Sequence, residues 1–312
     1  MPKSSRPRHG SLQFWPRKRA EKFIPSVNWK HIKADEGMLG FISYKAGMGT
    51  AIVKDNTEKS MTKGKKIAMP VTILEVPNMK ILSVRFYKNG KVMKDVVVSN
   101  DKELKRKIKV SKEIKNAELD KVQGWDDIRV IVYPVMKKMF KKTPDFAEVA
   151  ISGEDKLGIV KALIGREIAL SEVIKWPLVD VRGLTKGKGV QGPIRRFGIK
   201  KKFHKSEKGR RNPGSISPWN PPRVTFRAPL FGQLGMFTRV HYNLKVVGSG
   251  NISEKDVNRK QGFKRYGKIN NNYLVLAGSV QGPVKRQILI TPALRANKKN
   301  IKREYEFLEV KF

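Results

Sequence analysis

The chain has 312 residues, with 67 Lys and Arg against 27 Asp and Glu, a formal net charge of +40. The charges of a compact domain with that net charge would repel one another. We therefore expect the folded protein to bind a polyanion, most commonly a phosphate backbone. The absence of cysteine excludes disulfides, cysteine nucleophiles and thiolate metal sites.

The first third of the chain combines a basic extension with strand-like runs. Residues 1–36 form the basic N-terminal extension, because residues 1–33 hold nine Lys and Arg and a single acid, Glu21. Short β-branched and aromatic runs bounded by turn residues follow over residues 37–99, and they predict the first part of an antiparallel sheet or small barrel. Between two of these runs, Asn89-Gly90 tolerates the positive φ of a type I′ turn and predicts a hairpin.

Residues 100–172 differ in charge from both flanks. Residues 101–172 hold sixteen basic and thirteen acidic residues, a net charge of only +3. The runs at 129–135 and 146–151 are typical of strands, and 155–163 has helical spacing. We therefore predict a small α/β domain inserted into the barrel and facing solvent. Within it, Asp126-Asp127 is interpreted as a turn and helix cap rather than a metal-binding pair.

The remaining strands enclose a long basic segment. A barrel strand is predicted within 173–182, and residues 237–312 are predicted to complete the barrel, with strand-like runs at 273–280, 286–290 and 307–311. Residues 183–236 lie between them and are rich in Gly and Pro, with too few apolar residues for a core of their own. Residues 182–245 hold sixteen Lys and Arg and one acid, Glu207.

The chemistry of residues 183–236 suits RNA. Lysines and arginines recur at short intervals and can contact phosphates, while flat rings are interspersed on which an unstacked base can rest. These rings belong to Phe197, Phe203, Trp219 and Phe226. Composition alone also allows a disordered basic segment, and for Trp219 alone it allows simple packing in a local turn. The segment is internal, however, and we predict an extended finger that penetrates RNA.

Near the start of the chain stand the segments Pro7-Arg8-His9-Gly10-Ser11-Leu12 and Pro16-Arg17-Lys18-Arg19. They resemble the opening of the archaeal and eukaryotic type of the large-subunit ribosomal protein L3 family, and of its archaeal members most. The segments that resemble the rest of the family, in chain order, are Gly40-Phe41-Ile42, Tyr44-Lys45-Ala46-Gly47-Met48, Asp180-Val181-Arg182-Gly183-Leu184-Thr185-Lys186-Gly187-Lys188-Gly189, Trp219 with Pro222-Arg223-Val224, Gly282-Pro283, Lys285-Arg286, Ile290 and Pro292-Ala293-Leu294-Arg295.

The resemblance implies a mainly β fold. It would be a six-stranded barrel of the type shared with translation factors, with an inserted small α/β domain, a long internal finger and a basic N-terminal extension. It also implies a structural role in the large subunit, binding near the 3′ end of the (23S-type) rRNA and acting early in assembly. The finger would run toward the peptidyl transferase centre, with the tip tryptophan near the A-site side. Neighbouring proteins would be of the L14 and L24e types, and no membrane, homo-oligomer or cofactor is expected.

The candidate rRNA-binding residues come from the two basic segments and these motifs. They are Arg8, His9, Arg17, Lys18, Arg19, Lys186, Lys188, Arg195, Arg196, Lys200, Lys201, Lys202, His204, Lys205, Arg210, Arg211, Trp219, Arg223 and Arg227. Eukaryotic relatives carry a modifiable histidine twelve residues before the tryptophan, but that position is Glu207 here, so no such modification is expected.

Two other functions of a basic protein fit the sequence less well than a ribosomal role. An rRNA-modifying enzyme would need a cofactor motif, and Gly183-x3-Gly187-Lys188-Gly189 lacks the spacing and the Ser or Thr of a phosphate loop. A DNA-compacting protein would be shorter and built of repeated basic units. Neither the four histidines nor the carboxylates of the basic regions form a metal or acid/base pattern. We therefore predict a cytoplasmic protein that works in the ribosome, has no metal and is not an enzyme.

Overall fold

The structure is a computed structural model in which residues 10–32, 34–110, 114 and 118–312 are described. It is mainly β, with several antiparallel sheets. In chain order the elements are β1 (Gly37–Met38), β2 (Phe41–Asp55), β3 (Lys66–Val76), β4 (Met79–Lys88), β5 (Lys91–Val97), β6 (Asp127–Pro134), β7 (Ala147–Ser152), α1 (Lys156–Leu163), α2 (Leu170–Val173), β8 (Leu178–Leu184), β9 (Val190–Gln191), α3 (Pro193–Phe197), β10 (Gly232–Gln233), β11 (Thr238–Asn251), β12 (Asn272–Ala277), β13 (Gln287–Pro292), α4 (Lys298–Ile301) and β14 (Tyr305–Lys311).

The chain divides into two compact units. One, here called the basic unit, combines the described residues up to Lys22 with Leu184–Thr238. The other, here called the sheet unit, combines Phe23–Gly183 with Arg239–Phe312. The described part of the N-terminal extension up to Lys22 therefore belongs to one compact unit with the predicted finger, although the two are far apart in sequence, and the rest of the described extension belongs to the sheet unit.

The larger sheet of the sheet unit has seven strands in the order β13-β8-β11-β12-β3-β2-β14, and β13 also pairs with β2. Ile288 of β13 lies opposite Ser43 of β2 and Leu289 opposite Arg182 of β8, so β13 has a partner on each side. A bulge interrupts the pairing of β2 with β3 between Lys45 and Gly47. Gly47 is required there, because a Cβ would lie 2.5 Å from the ring of Phe263.

The second sheet has five strands in the order β1-β7-β6-β4-β5. The hairpin of β4 and β5 is confirmed, and both Asn89 and Gly90 have the positive φ of the predicted turn. This hairpin was predicted within the barrel strands of residues 37–99, but it pairs with β6 in the five-stranded sheet. The reason is that a strand's partner depends on distant residues, while the local pattern indicates only that a strand forms.

The predicted helix of the middle stretch is confirmed as α1. Its N-cap is Asp155, whose side chain accepts a hydrogen bond from the Gly158 N–H at 2.9 Å. Val160 and Leu163 of this helix are buried against the core. The helix cap predicted at Asp126-Asp127 is wrong, because Asp127 begins β6. The turn is present, and the Asp126 carboxylate accepts from the Asn89 N–H at 2.6 Å.

The core of the sheet unit consists mainly of β-branched and aromatic side chains from both sheets. Phe41 and Ile42 of β2 lie in the same buried cluster as Val130 and Val132 of β6 and Val149 of β7. Burying one such side chain contributes about 1.5–3 kcal/mol. The two sheets thus supply the buried apolar surface that stabilises the sheet unit.

Candidate nucleic-acid interface

The base of the predicted finger is held by short antiparallel pairing. The Lys188 N–H donates to the Leu234 carbonyl at 2.9 Å, and the Leu234 N–H donates to the Gly189 carbonyl at 2.9 Å. Two residues further in, β9 pairs with β10. Gly235 lies so close to the opposite arm that a Cβ would fall 1.9 Å from the Lys186 carbonyl. The two arms of the segment therefore start as a close, glycine-dependent pair.

Helix α3 follows this pairing and was not predicted. Its sequence nevertheless carried the signal, because Pro193 occupies the first turn, where a missing N–H costs nothing. Gly198, with φ of 70°, ends the helix in the left-handed conformation. The last helical residue, Phe197, is only 5% exposed. The prediction that the Phe197 ring offers a surface to a base is wrong, because the ring is packed inside the basic unit.

The N-terminal extension packs against α3. The indole of Trp15 meets Phe197 edge-on, with ring centroids 5.8 Å apart, and meets Phe226 at 6.2 Å. The Arg17 guanidinium lies over both Trp15 and Phe197, 5.0 and 4.3 Å from the ring centroids. Arg17 also donates to the Arg196 carbonyl at 3.1 Å, while Arg196 donates to the Arg17 carbonyl at 3.2 Å. A reciprocal arginine–backbone contact thus ties two segments that are 179 residues apart.

Arg196 connects three parts of the basic unit. Besides the Arg17 carbonyl, its guanidinium donates to the carbonyls of Leu230, Phe231 and Gln233 at 3.0, 3.4 and 3.0 Å. Burial lowers the pKa of Arg196 from its ordinary value. Carbonyls satisfy its donors without neutralising its charge, so the cation remains available to attract an anion.

The other candidate residues lie on the surface. Arg17 and Arg196 are partly buried, and all remaining candidates from Lys18 to Arg227 are exposed. Trp219 is 96% exposed. His204 packs its ring beside Phe203, with centroids 4.2 Å apart. Arg8 and His9 lie outside the described residues, so the structure does not place them.

The basic unit and the middle stretch of the sheet unit differ in how many of their charges are paired. Among the described residues of the basic unit the structure shows one ion pair, Lys18 with Glu21 at 3.7 Å, both well exposed. In the sheet unit, acids of the middle stretch are matched by local bases, for example Asp127 with Lys156 at 2.6 Å. By sequence, residues 1–22 and 184–238 hold twenty Lys and Arg against two acids, a net charge of +18. The basic unit therefore carries an uncompensated positive charge.

The described residues contain neither a cluster of possible metal ligands nor a helix that could span a membrane. No group of three or more His, Asp or Glu that could hold a metal occurs among the described residues. His241 is exposed, with its Nδ1 3.0 Å from the Ser279 carbonyl, and His31 is also exposed. No helix in the described part is long and apolar enough to cross a membrane.

Comparison with known proteins decides the family. The family model described as ribosomal protein L3 matches residues 1–312. The chain belongs to the ribosomal protein L3 family. It is therefore a structural constituent of the large ribosomal subunit, within the cytoplasmic ribosome, and not an enzyme.

Individual relatives of this L3-family chain are archaeal. It is similar to the large ribosomal subunit protein uL3 of Methanocaldococcus jannaschii, with 37% identity over 96% of this chain and 94% of the relative. The uL3 of Methanococcus vannielii is 38% identical over 94% of this chain and 92% of the relative. That of Methanothrix thermoacetophila is 36% identical over 93% and 92%. The resemblance to the archaeal type of the family is thus confirmed.

Proposed function

We propose that this L3-family chain binds large-subunit rRNA directly through its basic unit, near the 3′ end of that RNA, and acts early in subunit assembly. The observation that carries the proposal is the separation of charge. In residues 101–172 sixteen bases face thirteen acids and many are paired, as Lys156 is with Asp127, whereas the exposed cations of the basic unit, such as Lys200–Lys202, belong to a unit with only two acids by sequence. Phosphates supply the missing negative charge.

The sheet unit acts as the anchor in this proposal. Strands β2, β3, β12, β11, β8 and β13 are linked in a ring, since each pairs with the next and β13 pairs with β2. We assign this ring to the six-stranded barrel that the family resemblance implies. The insertion over residues 100–172 faces solvent, because its charges are largely compensated within it.

The finger extends the same interface inward. Residues 183–236 run toward the peptidyl transferase centre, and Trp219 at the tip approaches the A-site side. Its 96% exposure supports this role, because a tryptophan that packs in a local turn would bury its ring. The neighbouring proteins are of the L14 and L24e types, as the resemblance implies.

Two measurements test the proposal together. The chain should co-sediment with large subunits at moderate salt. When it is bound to free large-subunit rRNA, protection from hydroxyl radicals should concentrate near the 3′ end. Co-sedimentation without protection of rRNA would mean that other proteins hold the chain, and the proposal would then be wrong.

A further inference from the structure

The basic unit contains a concave site that the proposed function does not assign. The cleft has a volume of about 620 Å³ and lies among Trp15, Pro16, Arg17, Arg196, Thr225, Phe226, Ala228, Leu230 and Phe231. Ligand sites of this size occur in many proteins and combine apolar walls with a few polar groups. The walls here are mainly aromatic and aliphatic, and the charged groups are two guanidinium ions.

The cleft presents exposed rings. Phe226 is 70% exposed, Phe231 is 72% exposed and Leu230 is 38% exposed. Large apolar side chains that gather at one concave place usually mark a binding site. Trp219 is different, because its ring is 96% exposed and does not line this cleft.

The cleft is held in shape by Arg196. This side chain bonds the backbone carbonyls of Leu230 and Phe231 on one wall and of Arg17 on the other. Trp15 in turn contacts Phe226, with ring centroids 6.2 Å apart, and steadies that ring. Little reorganisation is therefore needed for a flat ligand to enter, and preorganisation of this kind favours affinity.

The positive charges around the cleft favour an anionic ligand. The Arg17 and Arg196 guanidinium ions lie at the cleft, and Arg227 lies over the Phe226 ring with its guanidinium carbon 5.6 Å from the centroid. A cationic rim would repel the basic segments typical of proteins that share an RNA-rich particle. A nucleotide satisfies both features, because its base stacks on aromatic rings and its phosphate attracts guanidinium groups.

We propose that this cleft receives one unstacked nucleotide of large-subunit rRNA, with the base against Phe226 and Phe231 and the flanking phosphate near the arginines. The proposal rests on the proposed rRNA-binding function and adds a defined subsite to it. In this view the N-terminal extension is not only a further basic tail. Trp15 and Arg17 complete a nucleotide site whose other wall is formed by residues 225–231.

The test uses the full chain bound to large-subunit rRNA, with base-specific chemical probing of every unpaired nucleotide. The double variant Phe226→Leu with Phe231→Leu keeps apolar bulk but removes the flat rings. It should restore full reactivity at one nucleotide that the unaltered chain protects, and it should lower the affinity about tenfold. The matched control is Phe203→Leu, since Phe203 is 68% exposed in the same unit but lies outside the cleft. That control should leave the same nucleotide protected.

A second measurement does not depend on the fold of a variant. Ultraviolet irradiation of large subunits containing the unaltered chain should join a nucleotide to the peptide that carries Phe226 or Phe231. If the double variant binds rRNA with unchanged protection, and no adduct forms on that peptide, the cleft is not a nucleotide site even though rRNA binding stands. Cross-linking of the cleft to a neighbouring protein would also overturn the proposal. Loss of all rRNA binding by the unaltered chain would instead refute the proposed function.

Discussion

Trp219 and Trp15 have opposite settings within the basic unit. The Trp219 ring is 96% exposed, whereas Trp15 packs against Phe197 and Phe226. Trp219→Ala should leave incorporation into the large subunit nearly intact, because stacking on one base contributes about 1–3 kcal/mol, a small share of the total from many phosphate contacts. If Trp219 approaches the peptidyl transferase centre as proposed, the same loss is enough to shift a local rRNA equilibrium about tenfold or more.

The readout for Trp219→Ala is A-site tRNA binding, or sensitivity to drugs of the peptidyl transferase centre, in subunits that have assembled. We expect either to change while the yield of subunits does not. Trp219→Phe keeps a ring and should behave more like the unaltered chain. Poor assembly combined with normal A-site behaviour would show that Trp219 is a structural anchor.

Arg196 gives a second prediction at the residue scale. Arg196→Lys keeps the charge but cannot span four carbonyls, and charge-assisted hydrogen bonds each contribute about 1.5–3 kcal/mol. We expect faster amide hydrogen exchange at Leu234 and loosening of the N-terminal extension. Arg195→Lys is the matched control, because the neighbouring Arg195 is exposed and its side chain donates only to Gln191, at 3.3 Å, in the described structure. Equal exchange in both variants would contradict the connecting role of Arg196.

Residue-scale features could be predicted only in part from the sequence. The exposure of Trp219 agrees with the predicted ring on which a base can rest, and prolines at 218, 221 and 222 limit the turn that carries it. The packing of Phe197 and the internal bonds of Arg17 and Arg196 were not predicted. Arg17 and Arg196 bond each other's carbonyls across 179 residues, and the other carbonyl partners of Arg196 are 34 to 37 residues away. No local pattern indicates which of many arginines finds such a partner.

At the scale of elements, the cap of α1 is the clearest local signal. Asp155→Ala removes the acceptor of the Gly158 N–H, and loss of an N-cap typically costs about 1 kcal/mol. In thermal unfolding of the free chain we expect a fall in Tm of about 2 °C. Glu154→Ala removes a charge one position earlier and should change Tm less. A fall of equal size in both variants would point to a general charge effect instead.

Elements with a strong local pattern were predicted from the sequence, and elements with a weak one were missed. The predicted strands that became β6, β7 and β12 consist of short runs rich in apolar side chains, so their pattern is strong. The 14-residue β11 was missed because only Leu244 and Val247 are buried along it and a bulge interrupts its pairing. Helix α3 was missed because it has five residues, too few for a periodic pattern.

At the scale of the whole molecule, the two units should differ in susceptibility to protease when the chain is free. Residues 200–211 are exposed apart from Ser206 and rich in Lys and Arg, and their described backbone bonding is sparse. We expect trypsin to cut there first. The Arg195-Arg196 pair is the internal control, since it lies in α3 and Arg196 is bonded to four carbonyls. First cuts within the β-strands of the sheet unit would contradict this division.

The central claim is that the charge of the basic unit lies at the rRNA interface, and the salt dependence of rRNA affinity tests it directly. With even eight phosphates engaged, the slope of log affinity against log salt should be about −6. Replacing Lys200, Lys201 and Lys202 by Ala should make the slope shallower by about 2. The matched control replaces Lys102, Lys105 and Lys109, which are exposed in the middle stretch, and should leave the slope unchanged. A slope near −2 for the unaltered chain, or an equal effect of the two triple variants, would contradict the account.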